Sequence, residues 1–183
     1  MKKLKMFVAA LLSIVVVLGG AVPTQAAMST DVNIAINATM MDGVSVTVPT
    51  VLPIVFNEDG TNTLPTNWTI ENKSSIAGIH LFQLTLNAGE SGWKVLASTK
   101  DTTQLPVNTK AIKFYAGNAE NLKLVNPAGG VENKAGVLLL DESDINIPAG
   151  ETKVLSFNVE RGAFTTTEAS AKAFDMELTF EFN

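Results

Sequence analysis

A chain with one histidine and no cysteine has few routes to covalent chemistry. Thiol nucleophiles are absent, and a serine triad would have to recruit His80. That residue lies in the run Gly78-Ile79-His80-Leu81-Phe82-Gln83-Leu84, on the face that alternation assigns to Phe82, Leu84 and Leu86. No Gly-x-Ser-x-Gly elbow accompanies it. His80 therefore reads as a strand histidine tucked against a core edge, not as a general base. Zinc sites draw on several histidines or cysteines, which rules zinc chemistry out of the expectation. No catalytic residue and no bound cofactor is expected.

Calcium needs only oxygen ligands, and two runs supply them: Asn57-Glu58-Asp59-Gly60 and Asp141-Glu142-Ser143-Asp144. Asn57, Asp59, Asp141, Glu142 and Asp144 are the candidate ligands, although neither run carries a full calcium-loop pattern. The plainer readings are a hairpin turn for the first and a solvated exit from a buried strand for the second. Opposed carboxylates for glycoside hydrolysis are a spatial arrangement that chain spacing does not reveal. Acids alternating along strands act as solubility residues, however, and few aromatics remain for a sugar platform. A carbohydrate-active enzyme is thus the third functional reading, behind two kinds of binding protein.

The start of the chain sets where such a protein would work. Lys2, Lys3 and Lys5 precede an apolar run from Met6 to Leu18, broken only by Ser13. Gly19, Gly20 and Pro23 then lead to Thr24-Gln25-Ala26. This is the pattern of a secretory signal peptide, with cleavage expected after Ala26. The run is short for a bilayer span, which needs about 20 residues. Removing residues 1–26 from the 183 leaves 157, enough for one domain, 27–183, with a self-supporting core. Of 13 basic residues the signal takes three, leaving 10 against 18 acids, net −8. Such a charge argues against nucleic acid or anionic lipid as partners and allows cation-bridged contact with an anionic cell wall.

Absence of cysteine is consistent with a secreted domain large enough to dispense with disulfides, and it leaves no lipoprotein-type attachment site. Phe180-Glu181-Phe182-Asn183 carries no sorting motif, so no membrane anchor is expected after processing. Asn37-Ala38-Thr39, Asn67-Trp68-Thr69 and Asn72-Lys73-Ser74 fit the glycosylation sequon. Behind a bacterial-looking signal they read as chance.

The elements that would position any site are strands. Phe174, Met176, Leu178, Phe180 and Phe182 alternate with Asp175, Glu177, Thr179, Glu181 and Asn183, a half-buried strand. Val32, Ile34 and Ile36 form another apolar face, as do Val44, Val46 and Val48. Further strands are expected over Leu52–Phe56, Trp68–Asn72, Ile79–Leu86, Trp93–Ala97, Ala111–Tyr115, Val137–Leu140 and Val154–Val159. Turn residues at Asp42-Gly43, Asp59-Gly60, Gly89–Gly92, Pro127–Gly130 and Ala149-Gly150 separate them. Thr165–Ala173 is expected to be one short helix or a loop crossing between sheets. The spacing predicts an all-β chain forming a single antiparallel β-sandwich of jelly-roll or immunoglobulin-like topology. A transmembrane barrel would need two aromatic girdles, and Tyr115, Trp68 and Trp93 are too few to build them.

The stretches VSVTVPTVLPIVFNEDG, WTIENKSSIAGIHLFQLTL, GWKVLA, INIPAGETKVLSFNV and FDMELTFEF together resemble secreted surface proteins of Gram-positive bacteria, closest to the WxL cell-wall-binding domain. Trp93-Lys94-Val95 stands where that family has its first Trp-x-Leu, and Phe180-Glu181-Phe182 where it has the second. The resemblance implies non-covalent association with peptidoglycan or another wall polymer, with Trp93 and Phe180 as wall-binding candidates. The alternative for both is an aromatic core plug. The passage IENKSSIAGIHLFQLTL, with the acidic strands and the lack of cysteine, is also similar to the fibre-forming TasA and camelysin class. That resemblance implies association with copies of the same chain. The strand Asp31–Ala38, with Val32, Ile34 and Ile36 as donor residues, would then add to a neighbour's sheet. Its alternative is pairing within its own subunit.

Overall fold

The computed structural model describes residues 30–39, 45–166 and 171–183. The signal segment 1–26, the turn Asp42-Gly43 and Val44 lie outside them. Strand follows strand: β1 (Thr30–Thr39), β2 (Val46–Thr47), β3 (Val51–Phe56), β4 (Asn62–Thr63), β5 (Thr69–Asn72) and β6 (Ile79–Asn87) come first. Then come β7 (Lys94–Leu96), β8 (Ala111–Asn118), β9 (Asn121–Leu124), β10 (Asn126–Pro127), β11 (Glu132–Asn133) and β12 (Ala135–Leu139). The series ends with β13 (Asn146–Ile147), β14 (Thr152–Val154), β15 (Ser156–Arg161) and β16 (Ala171–Phe182). A single 3₁₀ turn, Thr102–Gln104, is the only helical element among the described residues, and Asp101 caps it by accepting the Thr103 N–H. No helix among these residues is long and apolar enough to cross a membrane.

The fold is all-β. An eight-stranded sheet runs β10-β12-β6-β16-β1-β3-β4, with β13 also on β6. A five-stranded sheet runs β11-β7-β8-β15, with β9 also on β8, and a three-stranded sheet runs β14-β5-β2. Alternation decides which faces turn inward. In β16, Phe174, Met176, Leu178 and Phe180 are buried, while Glu177 and Glu181 face solvent. All three sheets contribute to one continuous apolar core, each fully buried aliphatic side chain stabilising it by about 1.5–3 kcal/mol. Gly136 of β12 lies where two sheets touch: a Cβ there would stand 2.9 Å from Val95 Cγ1 of β7 and 3.0 Å from Val125 Cγ1. Only glycine permits that approach.

Several expectations need correction. The pairing is not purely antiparallel, because β1 runs parallel to β16 and β7 parallel to β8. Among its described residues, the Val44–Val48 alternation yields only the two-residue β2. Val154–Val159 is divided at Leu155 between two sheets. Thr165 and Thr166 are not helical, residues 167–170 are outside the described set, and Ala171 already begins β16.

His80 does not share a face with Leu84 and Leu86. Thr179 pairs with Gln83 and Phe180 with Leu81, so Phe82 is an extra residue in β6. This bulge reverses the alternation: Leu81, Leu84 and Leu86 point inward, while His80 and Phe82 stay on the outer side. A second bulge inserts Ala173 in β16 opposite Asn33 and Ile34, and the Ser91 hydroxyl donates to its carbonyl at 2.6 Å.

Candidate functional site

Trp93 enters the core immediately after Gly92, which takes a positive φ of 79° and turns the chain into β7. The Trp93 ring is 1% exposed and packs at 5.9 Å from Phe56, 5.9 Å from Phe164 and 6.3 Å from Phe174. Phe180 is 3% exposed on the inner face of β16. Neither ring offers a surface to a polymer. Both serve as core plugs, and any wall contact would have to use other side chains.

β1 is a central strand. It lies between β16 and β3, with Ile34 opposite Phe174 on one side and Leu52 on the other. Val32, Ile34 and Ile36 are buried in the common core. Here the strand pairs within its own chain, so the donor residues fill a slot bounded by two strands of the same sheet.

Three of the five calcium candidates, Asn57, Asp59 and Asp144, are engaged by protein groups. In the first run, Asp59 Oδ1 accepts from the Thr61 N–H at 2.9 Å and its hydroxyl at 2.6 Å. These two bonds hold the carboxyl below the usual range. The Asn57 carbonyl takes Arg161 Nη2 at 2.9 Å, and the Asn57 amide donates to Thr61 and Thr63. In the second run, Asp144 is nearly buried, with Oδ2 at 2.6 Å from Lys123 Nζ and 2.8 Å from the Asp141 N–H. Burial pushes this carboxyl up, but the bonds from Lys123 and Asp141 outweigh it and leave the pKa lowered. Lys123 is raised by the same hydrogen bond. The cation at Asp144 is thus an ammonium from the chain itself. Asp141 and Glu142 are exposed, and among the described residues no three His, Asp or Glu side chains converge as metal ligands would.

His80 Nδ1 sits 3.2 Å from Asn183 Oδ1, and its Nε2 sits 4.0 Å from Glu181. Neither partner is a hydroxyl. On the outer face of β8 and β15, Tyr115 donates to Glu160 at 2.8 Å and Lys113 pairs with the same carboxylate at 3.1 Å. Burial first, and the Glu160 contact second, push the Tyr115 hydroxyl up to about 12.

Two residues given no structural role from sequence alone, Asn72 and Arg161, tie loops together by hydrogen bonds. Asn72 is fully buried. Its Nδ2 lies 2.9 Å from the Ala77 carbonyl, 3.1 Å from that of Ile147 and 3.2 Å from that of Pro148, and its Oδ1 accepts from Ser74 N–H at 3.0 Å. Its amide is inaccessible to a glycan. Strand alternation carried the signal, because Trp68, Ile70 and Asn72 fall on one face. Arg161, the chain's single arginine, donates from Nε to Asn62 Oδ1 and from Nη2 to the carbonyls of Asn57 and Thr61. Its guanidinium lies 4.8 Å over the Phe56 ring and 5.6 Å over that of Phe164.

β14 and β15 form one extended run hinged at Leu155. The Asn72 N–H donates to the Glu151 carbonyl and the Leu155 N–H to that of Trp68, each at 2.9 Å. In an antiparallel ladder this parity turns the polar groups of residues 151, 153 and 155 toward β5. Those of Thr152 and Val154 face the other way, into a groove of about 570 Å³ lined also by Ser156, Asn118, Glu120, Ser143 and Asp144. Further along, Asn62 Nδ2 donates to the Val159 carbonyl at 2.7 Å, closing the edge of β15 that faces away from β8.

No family model matches the chain, and neither a curated protein nor a solved structure matches it.

Proposed function

We propose that the protein is a non-catalytic, exported structural protein of the cell surface or extracellular matrix, built as a two-layer sandwich, that associates with copies of itself by exchanging β1. The observation that carries this reading is the position of β1: a strand from near the start of the chain completes the middle of the largest sheet. With cleavage after Ala26, only Ala27, Met28 and Ser29 would precede it. A copy that withdrew β1 would expose the facing edges of β16 and β3, and the β1 of a second copy could make the same pairings and bury the same Val32, Ile34 and Ile36. Exchange preserves the contacts, so protein concentration sets the balance between closed monomer and chain of copies.

The absence of cysteine makes a clean test possible. Ala35 and Val51 are cross-strand partners on β1 and β3, and the double variant Ala35→Cys/Val51→Cys reports who pairs with whom. Exchange predicts a ladder of covalent oligomers on non-reducing gels after oxidation of concentrated protein, and filaments or oligomers by electron microscopy and size exclusion. Deleting residues 31–38 should abolish them. A product that is only intramolecularly cross-linked at every concentration would overturn the reading.

Association with a wall polymer is the second reading, favoured by the acidic outer face of β16, where Glu177 and Glu181 are exposed and could be bridged by divalent cations to an anionic wall. Sedimentation with purified peptidoglycan, with and without chelator, tests it.

A further inference from the structure

We propose that the open edge of β14 is a docking site for an extended, lysine-bearing segment of a partner protein, which adds to the three-stranded sheet as a further strand. This inference is independent of β1 exchange and uses a different edge of the molecule.

Backbone geometry comes first. Thr152 and Val154 turn their N–H and C=O groups away from β5 and into the groove, whereas Lys153 turns its own toward Ile70. A short strand with unpaired polar groups is a template for one more strand, and an added backbone satisfies donors and acceptors together. The next stretch of the same run, Ser156–Arg161, has its equivalent groups taken by β8. The template therefore stops at the groove, which fixes where an incoming strand would lie.

The far wall is preorganised. The tip between β8 and β9 is pinned by Asn118, whose Oδ1 accepts the N–H groups of Glu120 and Asn121 at 3.0 and 2.8 Å. Its Nδ2 reaches the Asp144 carbonyl at 3.3 Å. Gly117 sits behind the tip at φ 157°, where a Cβ would lie 2.3 Å from the Asn121 carbonyl oxygen. A wall held in this way loses little freedom when a ligand arrives.

Charge selects the occupant. Glu120 and Asp144 line the groove, and an adjoining hollow that shares Ser143 adds Asp141 and Glu142. Against these four acids stand Lys153, which lines the groove, and Lys123, which is already paired to Asp144 at 2.6 Å. The balance is net negative, so the field favours a cationic strand and repels an acidic one. A second copy of this chain, net acidic itself, is the poorer match.

The probe is a fluorescent hexapeptide of alternating lysine and valine, titrated into the purified protein and followed by anisotropy. Saturable binding that weakens with salt is expected, with the alternating glutamate–valine peptide showing none. A version of the lysine peptide N-methylated on alternate residues should bind at least about tenfold more weakly, equivalent to about 1.4 kcal/mol. Val154→Pro removes a groove-facing N–H and leaves the β5 ladder intact, so it should cause a similar loss in a protein that melts normally. Glu120→Lys/Glu142→Lys should also weaken the complex without touching the backbone. Absence of binding by the lysine peptide, or binding indifferent to N-methylation and to Val154→Pro, overturns the proposal. So does a dimer in sedimentation that Val154→Pro abolishes, which would make the occupant a second copy.

Discussion

Thr152–Val154 and Ser156–Arg161 are two halves of one extended run that meet opposite fates. The first half pairs with β5 on one side and leaves its other side open to a groove. The second half pairs with β8, and on its remaining side the Asn62 amide, itself held by the Arg161 guanidinium, binds the Val159 carbonyl that a foreign strand would otherwise engage. Sealing a sheet edge with side chains suppresses uncontrolled pairing between copies. The same chain thus shows where pairing is blocked and where it is left available.

The largest test strikes the support of the open half. Asn72 donates its own N–H to Glu151 at the start of this run, while its side chain holds Ile147 and Pro148. Asn72→Ala leaves buried carbonyls unpaired and should cost about 3 kcal/mol, read as a lower denaturant midpoint. Arg161→Ala strikes the sealed half. It removes bonds to Asn57, Thr61, Asn62 and Gly162 and two ring contacts, for a loss of about 2–3 kcal/mol. Arg161→Lys should recover less than half, because a point ammonium cannot span four acceptors arranged around a planar guanidinium. Concentration-dependent association of Arg161→Ala, absent in the parent protein, would show that the seal also blocks pairing through β15.

A pair of neighbouring prolines sharpens the contrast. Lys153→Pro deletes an N–H committed to β5 and should cost about 2 kcal/mol. Val154→Pro deletes one that faces the groove, from a side chain 43% exposed, and should change stability by no more than about 0.5 kcal/mol. Equal melting temperatures for the two would mean that the parity assigned to β14 is wrong.

How far the sequence reveals this arrangement differs between the two halves of the run and the strands that flank it. The alternation of β16 and of Val32, Ile34 and Ile36 is visible because period-two patterning reports burial directly. Parallel pairing of β1 with β16 is not, since pairing partners far apart in the chain leave no local trace. Phe82 and Ala173 defeat the pattern because a bulge adds one residue and reverses the faces beyond it. Val154–Val159 looks like a single strand for the converse reason: it is continuous, and only its partners change at Leu155. Trp93 and Phe180 look like binding aromatics in a motif, yet burial in a shared core is what their position in alternating strands implies. The acids of the second calcium run were visible, while their neutralisation by Lys123 depends on a hairpin folding back from another part of the chain.

That neutralisation gives the smallest effect, and it separates the two halves by pH. Asp144 has a folded pKa below its ordinary 3.8, so its contribution is fully present above that value and is lost as pH falls through the lowered folded value. Lys123 is raised above 10.5, so its contribution is present below 10.5 and is lost as pH rises through the raised value. The link from the groove wall to the 141–144 turn should therefore hold across neutral pH and loosen at both extremes. At the sealed half, the acceptors of Arg161 are three backbone carbonyls, those of Asn57, Thr61 and Gly162, and the Asn62 side chain, none of which titrates in the acid range. Asp59, the titrating group in that turn, spends its bonds on Thr61. Hydrogen exchange corrected for intrinsic rates should show amides of Glu120 and Asn121 opening as pH drops below 4, while that of Gly60, which donates to the Asn57 carbonyl, changes less. Asp144→Asn should flatten the first response, because an amide does not titrate in this range and offers Lys123 a hydrogen bond without an opposite charge. Equal acid sensitivity at both places, or no change in the Asn variant, would show that this ion pair does not hold the groove wall in place.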